Sequence, residues 1–220
     1  MNAFAKTYAP YLRDKKLLFS IGVSLAFLLI SLYISFYAAT YATEKASAPV
    51  TDLILNRIPV FDVDGIFIYG PVGFWIFVGA ICLRKPERIP FVLKSIALFT
   101  LIRSVFIILT HIGPFPDQLT IDYSSKLVKK FTLGGDLFFS GHTGLPFLMA
   151  LIFRKNIYLY ALFIASAIFF GAIVLMAHLH YSIDVLAAFF ITFSIYHMAA
   201  SIFKKDKQLF DSGLPASARS

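Results

Sequence analysis

The organisation of this chain is decided by the stretch Gly134-Gly135-Asp136-Leu137-Phe138-Phe139-Ser140-Gly141-His142-Thr143. A second polar stretch follows further along, His178-Leu179-His180-Tyr181-Ser182-Ile183-Asp184. Both stretches lie at the edges of long apolar runs. They therefore place two imidazoles and a carboxylate at the mouth of a predicted membrane-embedded helical bundle.

The composition indicates a membrane protein. Apolar residues make up 59% of the sequence and charged residues only 15%, with a mean hydropathy of +0.78, which leaves too little polar surface to cover a soluble globule. The net charge of +8 does not indicate nucleic-acid binding, because the basic residues gather in short clusters between apolar runs, as they do when they set membrane topology. The single cysteine, Cys82, excludes a disulfide within this sequence and a cysteine-based zinc site.

Six apolar runs predict an all-α, six-helix transmembrane bundle. The predicted spans are 17–42, 66–83, 90–111, 137–153, 157–178 and 183–203. The first run is too long for the core of a signal peptide, the alternative interpretation, so we expect a retained helix. The predicted organisation is a basic cytoplasmic lead-in over 1–16, a membrane catalytic domain over 17–203 and a disordered cytoplasmic tail over 204–220.

The basic residues outside the spans favour one side of the membrane. Without the distal Arg219, the side that holds both termini carries twelve of them: Lys6, Arg13, Lys15, Lys16, Arg84, Lys85, Arg88, Arg154, Lys155, Lys204, Lys205 and Lys207. The other side carries five: Lys45, Arg57, Lys126, Lys129 and Lys130. The positive-inside rule therefore predicts cytoplasmic termini, with both polar stretches facing the opposite compartment.

His180 and Asp184 form the first candidate constellation. Ionisable side chains at membrane depth cost roughly 2.5–3.5 kcal/mol on insertion scales, so each needs a reason. If a helix begins near Tyr181, the spacing of four residues puts the two side chains on one face, where they can touch. The carboxylate would then fix the imidazole tautomer and make the other ring nitrogen a better nucleophile or base. A pair that only caps a helix start explains this spacing equally well.

The Ser140-Gly141-His142-Thr143 motif favours chemistry. Gly141 would let the backbone approach a bound anion closely, and the amides that open a helix are a ready phosphate site. Ser140 adds a hydroxyl donor, and His142 is placed to give a proton to a leaving oxygen. The structural alternative is a serine N-cap followed by a lone interfacial histidine. It is weakened because His142 and His180 fall on the same predicted membrane side.

Other polar residues are assigned by depth. Arg103 lies about eight residues, roughly 12 Å, below the outer end of its predicted helix, so we expect it to pair with Asp136, Asp184 or a phosphate. We expect structural roles for His111 and His197. The residues predicted to bind the substrate are Arg103, Asp136, Ser140, Gly141, Thr143, His178 and Tyr181.

These motifs resemble the type-2 phosphatidic acid phosphatase superfamily, and within it the sphingomyelin synthase branch. The resemblance extends over about residues 43–200 and is carried by 49–59, 103–114, 135–143 and 177–185, with 196–199 similar to the sequence that follows the last motif. It implies a six-helix enzyme with its site on the exoplasmic (periplasmic or lumenal) face and no metal or organic cofactor. It also implies that His180 attacks a phospholipid phosphorus to form a phosphohistidine and that Asp184 orients and charges His180. His142 would protonate the departing diacylglycerol oxygen and then deprotonate the acceptor hydroxyl.

Departures from the family pattern bear on specificity. Val174 stands where the phosphatases carry an arginine, and their first Lys/Arg-Pro motif is not evident, which favours the transferase branch. Leu179 stands where the synthases usually have an acidic residue, which would suit a cationic choline or ethanolamine head group. The identity of the head group is therefore left open. Gly134 replaces an expected cysteine.

The leading hypothesis is a phosphotransferase that moves a phosphoalcohol head group onto ceramide or another lipid alcohol. The alternative is a hydrolase of the same superfamily that uses water as acceptor. A non-enzymatic membrane scaffold or lipid transporter is disfavoured because His142, His180 and Asp184 are all present. The predicted partners are a phospholipid donor, a ceramide or diacylglycerol acceptor and the membrane, with a homo-oligomer as an open alternative and no nucleic acid.

Overall fold

The computed structural model describes residues 3–119 and 137–214, and every regular element within those ranges is helical. The helices are α1 (Ala3–Arg13), α2 (Lys15–Glu44), α3 (Asp64–Arg84), α4 (Ile89–Leu109), α5 (Gly141–Ile152), α6 (Ile157–Met176), α7 (Ser182–Ile202) and α8 (Lys204–Ser212). Short 3-10 turns lie at Leu55–Arg57 and Pro86–Arg88. The predicted all-helical fold class is confirmed.

Five helices, α2, α3, α4, α6 and α7, are long and apolar enough to cross a membrane, which makes the chain a multi-pass membrane bundle. Their bounds lie close to five of the predicted spans. The span predicted over 137–153 differs, because α5 has only 12 residues, or about 18 Å, against a hydrocarbon core of about 30 Å. Phe139 has a positive φ of 32° and Ser140 is an N-cap, so the helix cannot begin before Gly141. The count of six full spans is thus not met in the described ranges, and the cytoplasmic termini stay a prediction.

Helix starts follow from local sequence. The Asp14 carboxylate accepts hydrogen bonds from Lys16 N and Leu17 N and so begins α2. The Asn156 side chain accepts from Tyr158 N and Leu159 N at the start of α6. Short polar side chains satisfy amides that a helix leaves without an internal partner, which ends one apolar run and begins the next.

A repeat of buried, mostly small residues runs along α2, the helix that packs against α4. The buried positions of α2 include Leu17, Ser24, Ser31 and Ala38, each seven residues after the last. The serine hydroxyls donate to carbonyls of their own helix, so no polar atom opposes the contact. Small side chains at this spacing let two membrane helices approach closely. Large side chains such as Phe19, 75% exposed, point away from the bundle, as lipid-facing residues do.

Helix α5 is surrounded by other helices and contacts α4, α6 and α7. Leu148 and Met149 are fully buried in the main core cluster, together with Phe99 of α4 and Phe163 of α6. This packing holds the short helix at its far end. Its N-terminus is therefore presented rigidly at the other end.

Two loops gather at the end of the bundle where α5 and α7 begin, which we call the site end. Loop 1 is residues 45–63 and loop 2 is the described segment 110–119. Phe61 N of loop 1 donates to Met176 O, and Leu119 N of loop 2 donates to Ala177 O, both at 2.9 Å. The loops are therefore fastened to the end of α6.

The predicted disordered tail is corrected over Lys204–Ser212, which forms α8. Phe210 packs against the main core cluster, and Asp206 forms a 2.7 Å ion pair with Lys94 of α4. Asp211 is bound by Lys207 and by Lys155 at 2.8 and 3.2 Å. These contacts order a polar segment whose composition alone predicts disorder. Residues 215–220 lie outside the described ranges.

Candidate active site

The two polar stretches are fastened together by backbone groups. Ser140 N donates to Asp184 O at 3.1 Å, and the Nδ1 atom of His180 lies 2.9 Å from Leu137 O. The residues that enter α5 are thus bonded directly to the first turn of α7 and to the histidine just before it. The structure therefore brings the two polar stretches into direct contact, and their use as one site stays a prediction.

The hydrogen bond to Leu137 assigns the tautomer of His180. A backbone carbonyl only accepts, so Nδ1 must carry the proton. In the neutral ring the lone pair is then on Nε2, for which no described residue supplies a partner. The ring is 8% exposed and held in one orientation, so it has the form of a preset nucleophile or base.

Asp184 caps a helix and also contacts His180. Its Oδ2 accepts from Tyr181 N at 2.9 Å, which closes the capping box at the start of α7. The same oxygen lies 3.5 Å from His180 Nδ1, a longer contact than the bond to Leu137. The capping interpretation is therefore confirmed, and the fully buried carboxylate in addition stands beside the ring, where it would stabilise positive charge.

The start of α5 has the features of an anion site. Ser140 Oγ accepts a long 3.4 Å bond from Thr143 N, and the first amides of a helix have no carbonyl of their own helix to bond. The side chain of Arg103 reaches this point from α4. Its Nε donates to Phe139 O at 2.9 Å and would lie 3.8 Å from a Cβ placed on Gly141.

His142 is held by an aromatic ring. It stacks on Phe67 of α3 with ring centroids 4.5 Å apart and planes 29° apart. His142 also interacts electrostatically with His180 and Arg103, so the three groups share one region. Two imidazoles and a guanidinium repel each other when all three are protonated, and a bound anion would relieve that repulsion.

The turn that carries His178 and His180 is strained. His178 N bonds to Leu175 O and Leu179 N to Val174 O, which is the Schellman pattern of a helix end. The left-handed residue of that motif is usually glycine, but here it is His178 with a φ of 54°. The side chain is 3% exposed, and both its ring nitrogens lack a hydrogen-bond partner among the described residues. Its ring meets Phe115 of loop 2 edge to face at 5.1 Å.

Tyr181 connects both loops to this turn. Its hydroxyl donates to Gly113 O at 2.8 Å and accepts from Val50 N at 3.2 Å. Burial raises the pKa of the hydroxyl, with the carboxylates of Asp184 and Asp52 adding to the effect. The hydroxyl is thus engaged in holding loops 1 and 2, and contact of this side chain with substrate stays a prediction.

Asp52 of loop 1 is the residue whose importance the sequence did not single out. Burial alone would raise the pKa of its carboxyl, but hydrogen bonds from Leu55, Ser182 and Ile54 outweigh it and lower the pKa. Asp52 lies in the segment 49–59 that carries part of the family resemblance, but the sequence assigns this loop aspartate no role of its own.

The predicted site residues are thus brought together with two exceptions. The Thr143 side chain is fully buried and faces Gly171 of α6, so it belongs to helix packing, and a substrate contact does not fit that position. Asp136 lies outside the described residues, so its predicted pairing with Arg103 stays a prediction. Sequence reasoning also missed Phe67, an apolar residue in an apolar run, and the carbonyl of Leu137, because backbone groups leave no mark in a side-chain pattern.

The comparisons with known proteins concern this same region. Residues 134–201 match the family model described as PAP2 superfamily C-terminal. No curated protein and no solved structure matches the chain. The matched segment contains both polar stretches and runs from the entry to α5 almost to the end of α7. It supports membership of the type-2 phosphatidic acid phosphatase superfamily.

Proposed function

We propose that this protein is a membrane lipid phosphotransferase that moves a phosphoalcohol head group from a phospholipid onto ceramide or another lipid alcohol. The observation that carries the proposal is the His180 ring, whose Nδ1 is bound by Leu137 O beside the N-terminus of α5 and within electrostatic reach of His142. A nucleophile, a proton carrier and an anion site converge there, as phosphoryl transfer requires.

The first half-reaction uses both histidines. The Nε2 lone pair of His180 attacks phosphorus, and the bond from phosphorus to the glyceride oxygen breaks with its electrons on that oxygen. His142 gives the oxygen a proton, and diacylglycerol leaves. The phosphoalcohol remains on His180, whose positive ring is stabilised by the Asp184 carboxylate 3.5 Å from Nδ1.

The second half-reaction reverses these roles. Neutral His142 removes a proton from the hydroxyl of the acceptor, whose oxygen attacks phosphorus. The phosphorus–nitrogen bond breaks, and Nε2 recovers its lone pair. Every atom and proton is returned, so no further co-reactant is required.

The negative charge on the phosphate would be stabilised by the α5 amides and Arg103. The position where the phosphatases carry an arginine is Val174, which is fully buried in an apolar cluster with Val63 and Phe67. An apolar side chain at this position cannot bind a phosphate as an arginine would, which favours the transferase branch over the hydrolase. We further propose that the site end faces the exoplasmic compartment, in line with the distribution of basic residues.

The test uses the purified protein and a phospholipid with a labelled head group. We expect release of diacylglycerol, a label on His180, and loss of both in His180→Ala. The matched control is His197→Ala, because His197 lies on the same helix about 13 residues past Asp184, roughly 20 Å away. Undiminished release by His180→Ala would refute the mechanism.

The acceptor is identified in the same assay. Release that depends on added ceramide or another lipid alcohol, with the label recovered in a new lipid, would support the transferase. Acceptor-independent production of free phosphate or phosphoalcohol would instead establish the hydrolase, which shares the first half-reaction.

A further inference from the structure

The carboxylate of Asp52 joins loop 1 to the start of α7. Oδ1 accepts from Ile54 N at 2.8 Å and from Leu55 N at 3.0 Å, which fixes the chain where it enters the 3-10 turn of the loop. Oδ2 accepts from Ser182 N at 2.7 Å and from the Ser182 hydroxyl at 2.8 Å. One side chain of a distant loop therefore makes four hydrogen bonds and divides them between two elements.

The second element is the one that carries the nucleophile. Ser182 is the first residue of α7 and lies two positions after His180. Its amide is one of those that a helix leaves without an internal partner, and a negative charge at a helix N-terminus is favourable. The Tyr181 amide donates to Asp184, and the Ser182 amide donates to Asp52. The two residues that follow His180 are therefore each held through their backbone amide.

Burial shows that the carboxylate is committed to these bonds. Asp52 is 6% exposed, and its hydrogen-bond partners among the described residues are three amides and one hydroxyl, none of which is a cation. A buried anion without a cationic partner is expensive unless such bonds compensate it. An amide side chain could not replace it, because a single amide oxygen cannot serve both elements and its NH₂ group would face the Ser182 amide, donor against donor.

We propose that Asp52 is a positioning residue for His180, which fixes the catalytic turn from outside by bonding to the first residue of α7. Asp52 acts through Ser182 and the backbone and does not touch the reacting atoms. The role rests on the proposed function for its consequence in turnover, but the fixing of the His180 ring is measurable without any turnover.

The first measurement compares Asp52→Asn with Asp62→Asn, an exposed aspartate of the same loop that accepts a single 3.3 Å bond from Asp64 N. We expect Asp52→Asn to lower kcat for head-group transfer about 10- to 100-fold, the cost of a misplaced reacting group. KM should change less than about threefold, because donor binding is left to α5 and Arg103. Asp62→Asn should behave as the unchanged protein.

The second measurement follows the ring itself. Diethyl pyrocarbonate modifies accessible, unprotonated imidazole, and mass spectrometry locates the label. We expect Asp52→Asn to change the modification rate of His180 by several-fold while that of His142, which lies on α5, is unaltered. If the wild type transfers no head group, the proposed function fails, and the labelling ratio still decides the role of Asp52.

Ser182→Ala provides a second, milder test in case Asp52→Asn fails to fold. It removes one of the two hydrogen bonds to Asp52 Oδ2 and leaves both bonds of Oδ1 within loop 1 intact, so we expect a smaller loss of kcat. In the double variant the two losses should not add, because both act on one contact. The proposal is overturned if Asp52→Asn leaves the labelling rate of His180 unchanged. It is also overturned if the fraction of activity lost equals the fraction of the variant that is unfolded.

Discussion

The two roles of Asp184 can be separated by Asp184→Asn. The change keeps an oxygen that can accept from Tyr181 N, now at 2.9 Å from Oδ2, and removes the charge that lies 3.5 Å from His180 Nδ1. Asp184 is the N3 residue of a capping box, a position where either a carboxylate or an amide oxygen can accept from the N-cap amide. The free energy of unfolding should therefore fall by less than about 1 kcal/mol, mostly from the lost charge at the helix N-terminus.

The effect on catalysis should be much larger. A full positive charge on the ring at 3.5 Å would interact with the carboxylate by about 4.7 kcal/mol at an effective dielectric of about 20. If half of that charge has developed in the transition state, the barrier rises by about 2.4 kcal/mol, which lowers kcat roughly 50-fold. Release of labelled diacylglycerol and accumulation of labelled His180 in a single turnover both report this step.

Asp184→Ala is the companion variant. It removes the cap as well as the charge, so its unfolding free energy should fall by about 1 kcal/mol more than that of Asp184→Asn, with a similar kcat. Retention of more than half of the wild-type kcat by Asp184→Asn would refute the catalytic role and leave Asp184 as a cap alone.

Three further predictions concern stability. Asp206→Asn should lower the free energy of local unfolding of α8 by about 1–3 kcal/mol, because Lys94, which is only 13% exposed, would lose its charged partner. Hydrogen exchange of the α8 amides measures this free energy, and an unchanged exchange rate would contradict the prediction. Gly144→Ala should destabilise the fold by about 1–3 kcal/mol, since the added Cβ would lie 2.7 Å from two ring carbons of Phe99. Gly73→Ala, where the Cβ meets nothing within 4 Å, should gain up to about 1 kcal/mol in thermal unfolding, and equal effects at the two glycines would contradict the packing. Hydrogen bonds lower the pKa of Asp52 in the folded state below the ordinary 3.8. The residue therefore contributes stability above that pH, and this contribution is lost as the pH falls through the folded-state pKa. Asp52→Asn should weaken the acid dependence of the unfolding free energy, and an unchanged acid dependence would argue against the prediction.

Much of the fold could be predicted because a membrane imposes strong rules on sequence. Five long apolar runs were predicted to be helices, since in lipid a helix satisfies its backbone polar groups within one segment. The run over 137–153 was the exception. Its length in apolar residues predicted a full span, but the positive φ of Phe139 accompanies contacts of this segment with α4 and α7 that no local pattern records.

The tail shows the opposite failure. Its polar composition predicted disorder over 204–220, yet α8 is ordered by Phe210 in the core and by the partners of Asp206 and Asp211. These partners come from α2, from α4, from the segment after α5 and from α8 itself. Disorder follows from composition only when a segment has nothing to pack against.

The sequence by itself determined which residues could carry the chemistry, because an imidazole or a carboxylate at the edge of an apolar run is costly enough to need a reason. It therefore singled out His142, His180 and Asp184. Only the tertiary structure decided how they are held. His180 is oriented by the Leu137 carbonyl and the turn that follows it by Asp52, and both belong to segments remote in the chain. A backbone acceptor and an ordinary loop aspartate acquire these roles only when folding brings them to the start of α7.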